Sequence, residues 1–434
     1  MEFLFLSHRI PYPPNKGDKI RSHALLTHLA KRGRVHVACF VDDPDDMQYA
    51  DAVRTLAGGE CLFVPLNGLT KNLRAAAGLL TNQPMTIAAY KSNALGNWVE
   101  ALASNHPIDR VVVFSAAMAP YVLGSSAWNS SRAIFDMVDI DSDKWRQYAD
   151  ASRGPSRWLF HREAAMLLKF EREAARRFGA TILVSPFEAA SFAAMAPESE
   201  SRIFSLSNGV NLGYFSPGAY DNPFPAGEVP IVMTGMMDYR PNVDGAKWFL
   251  DEVMPRLKGA LPQCRFYAVG AKPPESLSAA AGPNLVVTGA VPDVRPYIQH
   301  AAAIVAPLRM ARGVQNKVLE AMAMEKPVVA TYEATRALAV TSGVELWVEN
   351  DAAAFARAVA GAVNGADRVQ IARNGRNYVE RHHNWQQNLG LIDSLMNGLS
   401  ENPTASDAGT YDAGKPTASA QLPGSNRSVL GAVS

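Results

Sequence analysis

The sequence predicts an α/β protein of two domains, each a doubly wound parallel sheet covered by helices. The chain of 434 residues is too long for one ordinary hydrophobic core. It opens with a predicted strand over residues 3–6, a helix over 18–31 and a strand over 35–41, and such a β–α–β unit indicates a parallel sheet. The same alternation restarts after residues 216–230, which are rich in proline and glycine and therefore predict a linker.

Composition limits the classes of function that fit. Apolar residues make up 48% of the chain and charged residues 19%, as in globular α/β proteins, and the net charge of +1 argues against nucleic-acid binding. The cysteines, Cys39, Cys61 and Cys264, lie in apolar runs without metal-ligand spacing, which indicates buried thiols in a reducing compartment. Residues 1–6 are too short for a signal-peptide core, and no run approaches the roughly 20 apolar residues of a membrane span. We expect a cytoplasmic protein, with peripheral contact at the inner face of the membrane as a further expectation.

The first domain continues the alternation of short apolar runs and longer amphipathic runs. Further strands are predicted over residues 62–65, 110–114, 132–135 and 181–184, and helices over 70–103, with a break near Pro84, and over 155–178. Ser185 begins a capping box with proline at the first helical position, which predicts a helix start. Residues 71–80 combine cations with an apolar face, as interfacial helices do. A helix packed on the protein's own sheet fits this pattern equally well.

The second domain repeats the pattern with its own strands and helices. Strands are predicted over residues 231–234, 265–269, 285–287, 303–306 and 346–348 and from Pro327, and helices through Trp248 and Phe249 and over 316–324, 351–363 and 367–398. The last of these helices should break near Asn384. The tail from residue 400 is rich in small and polar residues and should be disordered.

Residues 306–329 contain the central candidate site. An apolar strand leads into a cation-rich turn around Gly313, and a helix begins near Asn316. In open α/β sheets, ligands bind at the carboxyl ends of strands, where helix N-termini attract anions. Lys317 falls in the first helical turn, and Glu320 lies roughly 4.5 Å further along the same face. A phosphate at Lys317 and a sugar hydroxyl at Glu320 fit this separation, although an ordinary surface Lys–Glu pair fits it equally well.

Several motifs then resemble one known family. Leu-Glu-Ala-Met-Ala at residues 319–323, followed by Pro-Val-Val at 327–329, resembles the signature of glycosyltransferase family 4, whose members are retaining GT-B enzymes. Residues 208–217 resemble the family's segment leading out of the first domain. The opening, residues 7–19, resembles an exosortase-associated (PEP-CTERM) branch found beside exopolysaccharide gene clusters. The resemblance covers residues 1–398, and the motifs occur in the family's order.

The resemblance implies the GT-B architecture, two Rossmann-like domains facing a cleft. Residues 1–215 would form the acceptor-side domain, completed by a C-terminal helix at 385–398, and residues 231–384 would bind the nucleotide sugar. It implies transfer of a sugar, with retention, from a nucleotide diphosphate sugar to a glycan or polyprenyl-lipid-linked acceptor, in exopolysaccharide synthesis. The reaction would be of the hexosyltransferase type, with no cofactor and no metal. Two alternatives share this architecture: a nucleotide-sugar epimerase, and a catalytically silent subunit that only binds nucleotide sugars.

The residues expected at the donor lie near strand ends of the second domain. They are Gly235, Arg240, Asn242, Val291, Arg312, Gly313, Lys317 and Glu320. Arg240, Arg309 and Lys317 would bind the phosphates, because fixed cations stabilise a leaving diphosphate without a metal. Glu320 would contact the ribose, and Val291 would lie near the base.

One position departs from the family pattern. The family has two glutamates with seven residues between them, but Arg312 stands eight positions before Glu320. The missing carboxylate normally contacts hydroxyls of the donor sugar. Either a different sugar is recognised, or another acid takes its place. Gly313, beside Arg312, would allow close backbone approach.

On the acceptor side, the resemblance points to Lys16, Gly17 and Arg21 in and after the first loop. Lys317, Arg309 and Asp139 are the candidate catalytic residues. Asp139 belongs to a run of four acids, residues 136–143, that follows a predicted strand and so should lie at the cleft. Solvated acids that cap a helix are the competing interpretation of this run.

Overall fold

The structure, a computed structural model, describes residues 1–14, 16–311 and 313–399. The predicted disordered tail from residue 400 and the predicted donor contact Arg312 lie outside the described residues, so both stay predictions. Within the described part, none of the helices has the length and apolar character that a membrane span requires.

The first domain is built on a parallel sheet of seven strands in the order β3-β2-β1-β4-β5-β6-β7. The strands are β1 (Glu2–Ser7), β2 (Arg34–Val41), β3 (Gly58–Pro65), β4 (Arg110–Phe114), β5 (Ala133–Val138), β6 (Ala180–Leu183) and β7 (Ile203–Ser205). Both faces of the sheet are covered. Along β1, Leu4 and Leu6 join the core on one face and Phe3 and Phe5 the core on the other, because successive side chains of a strand alternate.

Nine α-helices connect these strands in the described residues: α1 (Gly17–Ala30), α2 (Ala50–Ala57), α3 (Gly68–Leu80), α4 (Met85–Ala89), α5 (Asn93–Asn105), α6 (Pro120–Leu123), α7 (Asp141–Asp150), α8 (Pro155–Arg177) and α9 (Pro186–Met195). Short 3₁₀ segments cover Pro44–Tyr49, Ala116–Met118, Ser130–Arg132 and Pro197–Arg202. The predicted cap of α9 is present, since Oγ of Ser185 accepts the backbone N–H of Glu188 at 3.1 Å. Of the four acids at residues 136–143, Asp136 lies within β5, and Asp141 and Asp143 lie in the first turn of α7, as the helix-capping interpretation expects.

The second domain is a parallel sheet of six strands in the order β10-β9-β8-β11-β12-β13. Its strands are β8 (Val229–Thr234), β9 (Cys264–Val269), β10 (Leu285–Gly289), β11 (Ala303–Ala306), β12 (Val328–Ala330) and β13 (Trp347–Val348). Its helices, with the C-terminal ones, are α10 (Arg240–Trp248), α11 (Met254–Ala260), α12 (Glu275–Ser278), α13 (Arg295–His300), α14 (Asn316–Ala323), α15 (Tyr332–Thr335), α16 (Ala352–Asn364), α17 (Arg368–His382), α18 (Trp385–Asn388) and α19 (Gly390–Gly398). A π-helical turn, Phe249–Val253, joins α10 to α11.

Strand order locates the ligand crevice of each sheet. The order reverses between β1 and β4 in the first sheet and between β8 and β11 in the second. At such a switch point the two following loops diverge to opposite faces, which leaves a crevice at the carboxyl ends of the strands. The predicted fold class, two doubly wound Rossmann-like domains, is confirmed.

Two chain segments cross between the domains and are bonded to each other. The backbone N–H of Val210 donates to the carbonyl of His383 at 2.7 Å, and Nδ1–H of His383 donates to the carbonyl of Asn208 at 2.7 Å. Beyond this crossing α19 packs on the first domain, where Ile392 and Met396 join the core that contains Phe3 and Phe5.

Candidate functional site

Glycines form the floor of the crevice in the second domain. Gly235 follows β8 and Gly270 follows β9, and both have positive φ, 142° and 156°. A methyl group on Gly270 would lie 1.7 Å from the carbonyl oxygen of Gly235, so the two loops pack closer than any side chain permits. A methyl group on Gly235 would lie 3.0 Å from Nζ of Lys317 and 2.9 Å from Nδ2 of Asn242. The loops after β8 and β9 and the first turns of α10 and α14 therefore meet at one point.

Lys317 is the cation at this point. It lies in the first turn of α14, and its ammonium group donates to Oδ1 of Asn242. The amide of Asn242 is itself oriented, because its Nδ2 donates to the carbonyl of Met236 at 2.8 Å. Burial lowers the pKa of Lys317 to about 8, against the opposing effect of the Glu320 charge. Lys317 is half-buried, and a cation at such a position beside the N–H groups of a helix N-terminus attracts an anion.

Glu320 lies one turn further along α14 and completes this side of the crevice. Burial raises its pKa to about 7, and the charge of Lys317 works in the opposite direction. Near neutral pH its carboxyl group is therefore partly protonated. The ionised form can accept a hydrogen bond from a hydroxyl, and the protonated form can donate one to it.

Asp139 forms the opposite wall. A methyl group on Gly313 would lie 3.2 Å from its Oδ1, which is buried and has no hydrogen-bond partner among the described residues. Burial, with the charges of Glu188 and Asp141, raises the pKa of Asp139 to about 7. The preceding residue, Val138, has a φ of 70°, a strained value for a β-branched residue and one found mostly at functional sites.

The first loop of the chain also reaches the second domain. Lys16 is the N-cap of α1, and a methyl group on Gly17 would lie 4.0 Å from Nδ2 of Asn316, the first residue of α14. Oδ1 of Asn316 is buried without a partner in the described residues. Sequence reasoning missed Asn316 as a site residue, although a polar side chain at the first position of that helix was a signal for it.

One predicted site residue, Arg21, requires correction. Its side chain is fully buried, and its guanidinium group forms an ion pair with Asp136 at 2.8 Å and donates to Oδ1 of Asn208 and the carbonyl of Leu206. These contacts occupy the guanidinium inside the first domain. Arg21 supports the fold near the interdomain crossing and is not exposed to an acceptor.

Three other predicted donor contacts lie outside the group around Lys317. The guanidinium of Arg309 stands 5.9 Å from the ring centre of Trp248, roughly 9 Å along α10 from Asn242. The side chain of Arg240 is 82% exposed and pairs with Asp244 at 3.4 Å. Val291 is half-buried against the second core. Both arginines are exposed, and these three donor contacts stay predictions.

A charged network in the first domain was missed by sequence reasoning. Arg9, directly after β1, bonds to Asp42 at 2.9 Å and to Asp18 at 2.5 Å, and Nε2 of His8 lies 3.4 Å from Asp18. Burial acts to raise the pKa of Asp18, but the bond to His8 and the charge of Arg9 lower it overall. Charged residues directly after two neighbouring strands, β1 and β2, were the available signal.

Among the described residues one group could hold a metal ion, and it lies at the far, amino end of the first sheet. Ligand atoms of Glu2, His36 and His106 lie within 4.8 Å of one another. However, Nδ1 of His36 accepts the backbone N–H of Glu60 at 3.2 Å, so its Nε2 carries the hydrogen and donates to Glu2 at 3.2 Å. This tautomer offers no lone pair to a metal, and the group does not fit one.

Comparison with known proteins agrees with this architecture. Residues 228–364 match the family model described as Glycosyl transferases group 1. No curated protein sequence matches the chain.

Solved structures match almost the whole chain. HepE of Anabaena in complex with UDP-glucose is 13% identical, with a TM-score of 0.63 over 92% of this chain and 100% of that one. Sucrose-phosphate synthase of Thermosynechococcus elongatus is 19% identical, with a TM-score of 0.64 over 92% and 99%. The E. coli trehalose-6-phosphate protein bound with UDP-2-fluoro glucose is 12% identical, with a TM-score of 0.62 over 91% and 99%. At such identities the likeness establishes the fold, which is GT-B.

Proposed function

We propose that this protein is a retaining glycosyltransferase that moves a sugar from a nucleotide diphosphate sugar to a glycan or lipid-linked acceptor. The observation that carries the proposal is the position of Lys317, a half-buried cation at a helix N-terminus over Gly235, opposite Asp139 and Gly17 of the other domain. The match of residues 228–364 to a glycosyltransferase family supports it, as do the structural neighbours with bound UDP-glucose and UDP-2-fluoro glucose.

The donor diphosphate would bind between Gly235 and the start of α14. The Lys317 ammonium and the first N–H groups of α14 would face its oxygens, and these groups gain most as negative charge grows on the leaving diphosphate. The glycine floor allows the phosphates to approach the backbone. Glu320, one turn along the helix, would bond a ribose hydroxyl, as the resemblance implies.

The transferred sugar would lie between Gly313 and Asp139. Among the described residues Oδ1 of Asp139 has no hydrogen-bond partner, and a hydroxyl of the sugar or of the acceptor would supply one. We infer that Asp139 takes the place of the family carboxylate for which this chain has Arg312. In this proposal Asp139 selects the sugar, and the Lys16–Gly17 loop lies on the acceptor side.

The finer parts of the proposal come from the resemblance. They are membership of family 4 and its exosortase-associated branch, the hexosyltransferase type, retention, independence of a metal, and a role in exopolysaccharide synthesis. Retention can be tested by the anomeric configuration of the product, and metal independence by turnover in the presence of a chelator.

A binding and turnover screen with the purified full chain tests the core of the proposal. Titration calorimetry against UDP-, GDP-, ADP- and dTDP-sugars should find at least one donor, and release of the nucleotide should depend on an added acceptor. Interconversion of the sugar without acceptor would indicate the epimerase instead. Tight binding without release under any acceptor would indicate the silent binding subunit. Failure to bind any nucleotide sugar would refute all three.

A further inference from the structure

A cavity of the first domain lies between α4, α5, α6 and α8. Its volume is about 410 Å³, and its lining residues run from Gln83 to Phe170, so it belongs to one domain. None of the crevice residues described above lines it. Ligand sites are typically clefts of roughly 300–1,000 Å³. We call this space the α5 cavity. It has the size of a small-molecule site and is separate from the crevice between the domains.

The walls of the α5 cavity are held in place by hydrogen bonds. Glu163 of α8 is fully buried and accepts the backbone N–H groups of Met85 and Thr86 at 2.7 and 2.8 Å. This fixes the start of α4 on α8. The hydroxyl of Tyr121 donates to the carbonyl of Tyr90 at 2.5 Å, which ties α6 to the turn before α5. The cavity is therefore preformed, and a preformed site loses little conformational entropy when a ligand binds.

The lining combines apolar surface with side-chain amides. Ile87, Tyr121 and Phe170 line the cavity, and each is half-buried. Asn93 and Asn97 are exposed residues of α5, one turn apart, so both amides lie on the same face of that helix. An amide can donate and accept hydrogen bonds at the same time. The lining therefore suits a molecule that has both hydroxyl groups and C–H faces.

Charge is scarce in this lining. Of the described residues that form it, only Lys91 carries a charge, and its side chain is exposed. A nucleotide is a poor occupant, because its phosphates require several cations or charge-assisted hydrogen bonds. An alkyl chain is also a poor occupant, because it would bury the amides of Asn93 and Asn97 without partners. An uncharged sugar avoids both costs.

Gly96 leaves the cavity open. It lies within α5, where glycine is less favourable than alanine. Packing does not require a glycine here, because an added methyl group would meet only Cδ1 of Tyr121, at an ordinary contact distance of 4.0 Å. A longer side chain would extend into the α5 cavity, which Gly96 and Tyr121 both line. Glycine at this position therefore leaves room for a ligand.

We propose that the α5 cavity binds uncharged sugars. The sugar hydroxyls would bond to the amides of Asn93 and Asn97, and the C–H faces of the sugar ring would pack on Tyr121 and Phe170. This site is additional to the donor and acceptor positions of the proposed function, and binding there involves no group transfer. Free sugars and the sugars of a glycan chain share this chemistry.

Saturation-transfer NMR with the purified full-length protein tests the proposal. The uncharged probes are D-glucose, D-galactose, D-mannose, N-acetyl-D-glucosamine and the trisaccharides maltotriose and cellotriose, and glucuronic acid is the charged comparison. At least one uncharged probe should bind, and it should bind more strongly than glucuronic acid. Binding of a trisaccharide without binding of any monosaccharide would identify a glycan chain as the source of the ligand.

Filling the cavity should abolish this binding. Gly96→Leu should weaken binding of the probe by about tenfold or more, because its side chain occupies the space of the sugar. Gly259→Leu is the matched control. Gly259 lies in α11 of the second domain, where an added methyl group meets open space, and its variant should bind the probe normally. A double Asn93→Ala, Asn97→Ala variant changes only exposed side chains, so it should fold and also lose binding, and it decides the test if Gly96→Leu does not fold.

Four results would overturn the proposal. The first is a wild type that binds none of the uncharged probes. The second is stronger binding of glucuronic acid than of every uncharged probe. The third is a folded Gly96→Leu variant that binds the probe like the wild type, or a Gly259→Leu variant that loses as much binding. The fourth is loss of probe binding in Lys317→Ala, because the sugar would then occupy the crevice. Calorimetric donor binding should be the same in wild type and Gly96→Leu, so failure of the glycosyltransferase proposal and failure of this one give different results.

Discussion

Replacing Lys317 by alanine tests the central residue of the site. The side chain lies over Gly235, within hydrogen-bond reach of Asn242, at the N-terminus of α14. If it faces the donor phosphates, its loss removes a charge-assisted hydrogen bond worth about 1.5–3 kcal/mol. Donor affinity should then fall by roughly ten- to 150-fold. Turnover at saturating donor should fall as well, because the charge on the leaving diphosphate increases in the transition state.

The stability of the fold should respond in the opposite direction. The pKa of Lys317 is lowered from 10.5 to about 8, so the folded state disfavours its charged form. One unit of pKa corresponds to about 1.4 kcal/mol, which sets an upper limit near 3 kcal/mol for this cost below pH 8. Loss of the bond to Asn242 and of the attraction to Glu320 offsets part of it. We expect the free energy of unfolding of Lys317→Ala to be unchanged or about 1 kcal/mol higher at pH 7. The gain should vanish as the pH approaches 10.5, where the unfolded chain also loses the proton.

The chain contains a matched control at the other end of the same helix. Lys326 follows α14, donates to the carbonyl of Gln299 at 2.8 Å, and has its pKa lowered by burial to about 8, the same value as Lys317. Lys326→Ala therefore removes an equally perturbed charge away from the crevice. Calorimetric titration with the donor, steady-state kinetics and melting curves should show the loss of binding and turnover only in Lys317→Ala. Normal turnover in a folded Lys317→Ala protein, or equal losses in both variants, would refute our assignment.

Three further substitutions test the crevice and the fold. Asp139→Asn should raise the melting temperature much more at pH 8 than at pH 4, because the folded pKa of Asp139 near 7 exceeds its ordinary value of 3.8 and the carboxyl therefore destabilises the fold progressively as the pH rises from about 4 to 7; equal shifts at both pH values would contradict this. Gly313→Ala should weaken donor binding about tenfold, because Gly313 has a φ of 58° and its new methyl group would lie 3.2 Å from Asp139. Gly259→Ala is the control, because a methyl group there meets open space, and this variant should bind the donor normally. Calorimetric titration of both variants with the donor measures the difference. Arg21→Ala should lower the free energy of unfolding by about 3–5 kcal/mol, because it leaves the buried Asp136 unpaired; a denaturant melt like that of the wild type would contradict this structural role.

Most helices and strands were predictable because their signals are local. Short apolar runs predicted most strands, period-3.6 patterns predicted most helices, and proline marked the break at residue 84; β7, α2 and α7 were missed. The strand ends were less accurate. β3 begins at Gly58, four residues before the predicted start, because its pairing with β2 extends the strand through a stretch with little apolar pattern. The residues at the start of β3 do not themselves show that they will pair with a neighbouring strand.

Arg21 and helix α3 show where local patterns are insufficient. A cation shortly after a glycine loop fits a ligand contact, and only the packing of α1 on the sheet directs Arg21 inwards to Asp136. The amphipathic pattern of residues 71–80 is identical whether its leucines face a core or the outside. The contacts of Lys71 with Tyr90 and of Gly78 with Ala88 decided that they face outwards.

The sequence by itself determined two alternating α/β domains, a helix that begins at Asn316, and the position of Lys317 in its first turn, because each of these depends on residues close together in the chain. Only the tertiary structure decided that Asn242 and Gly235 lie beside Lys317, and that Asp139 faces Gly313. These contacts join loops from different strands and from both sheets. They depend on the order of the strands and on how the two sheets face each other. The spacing of residues along the sequence does not determine either of these.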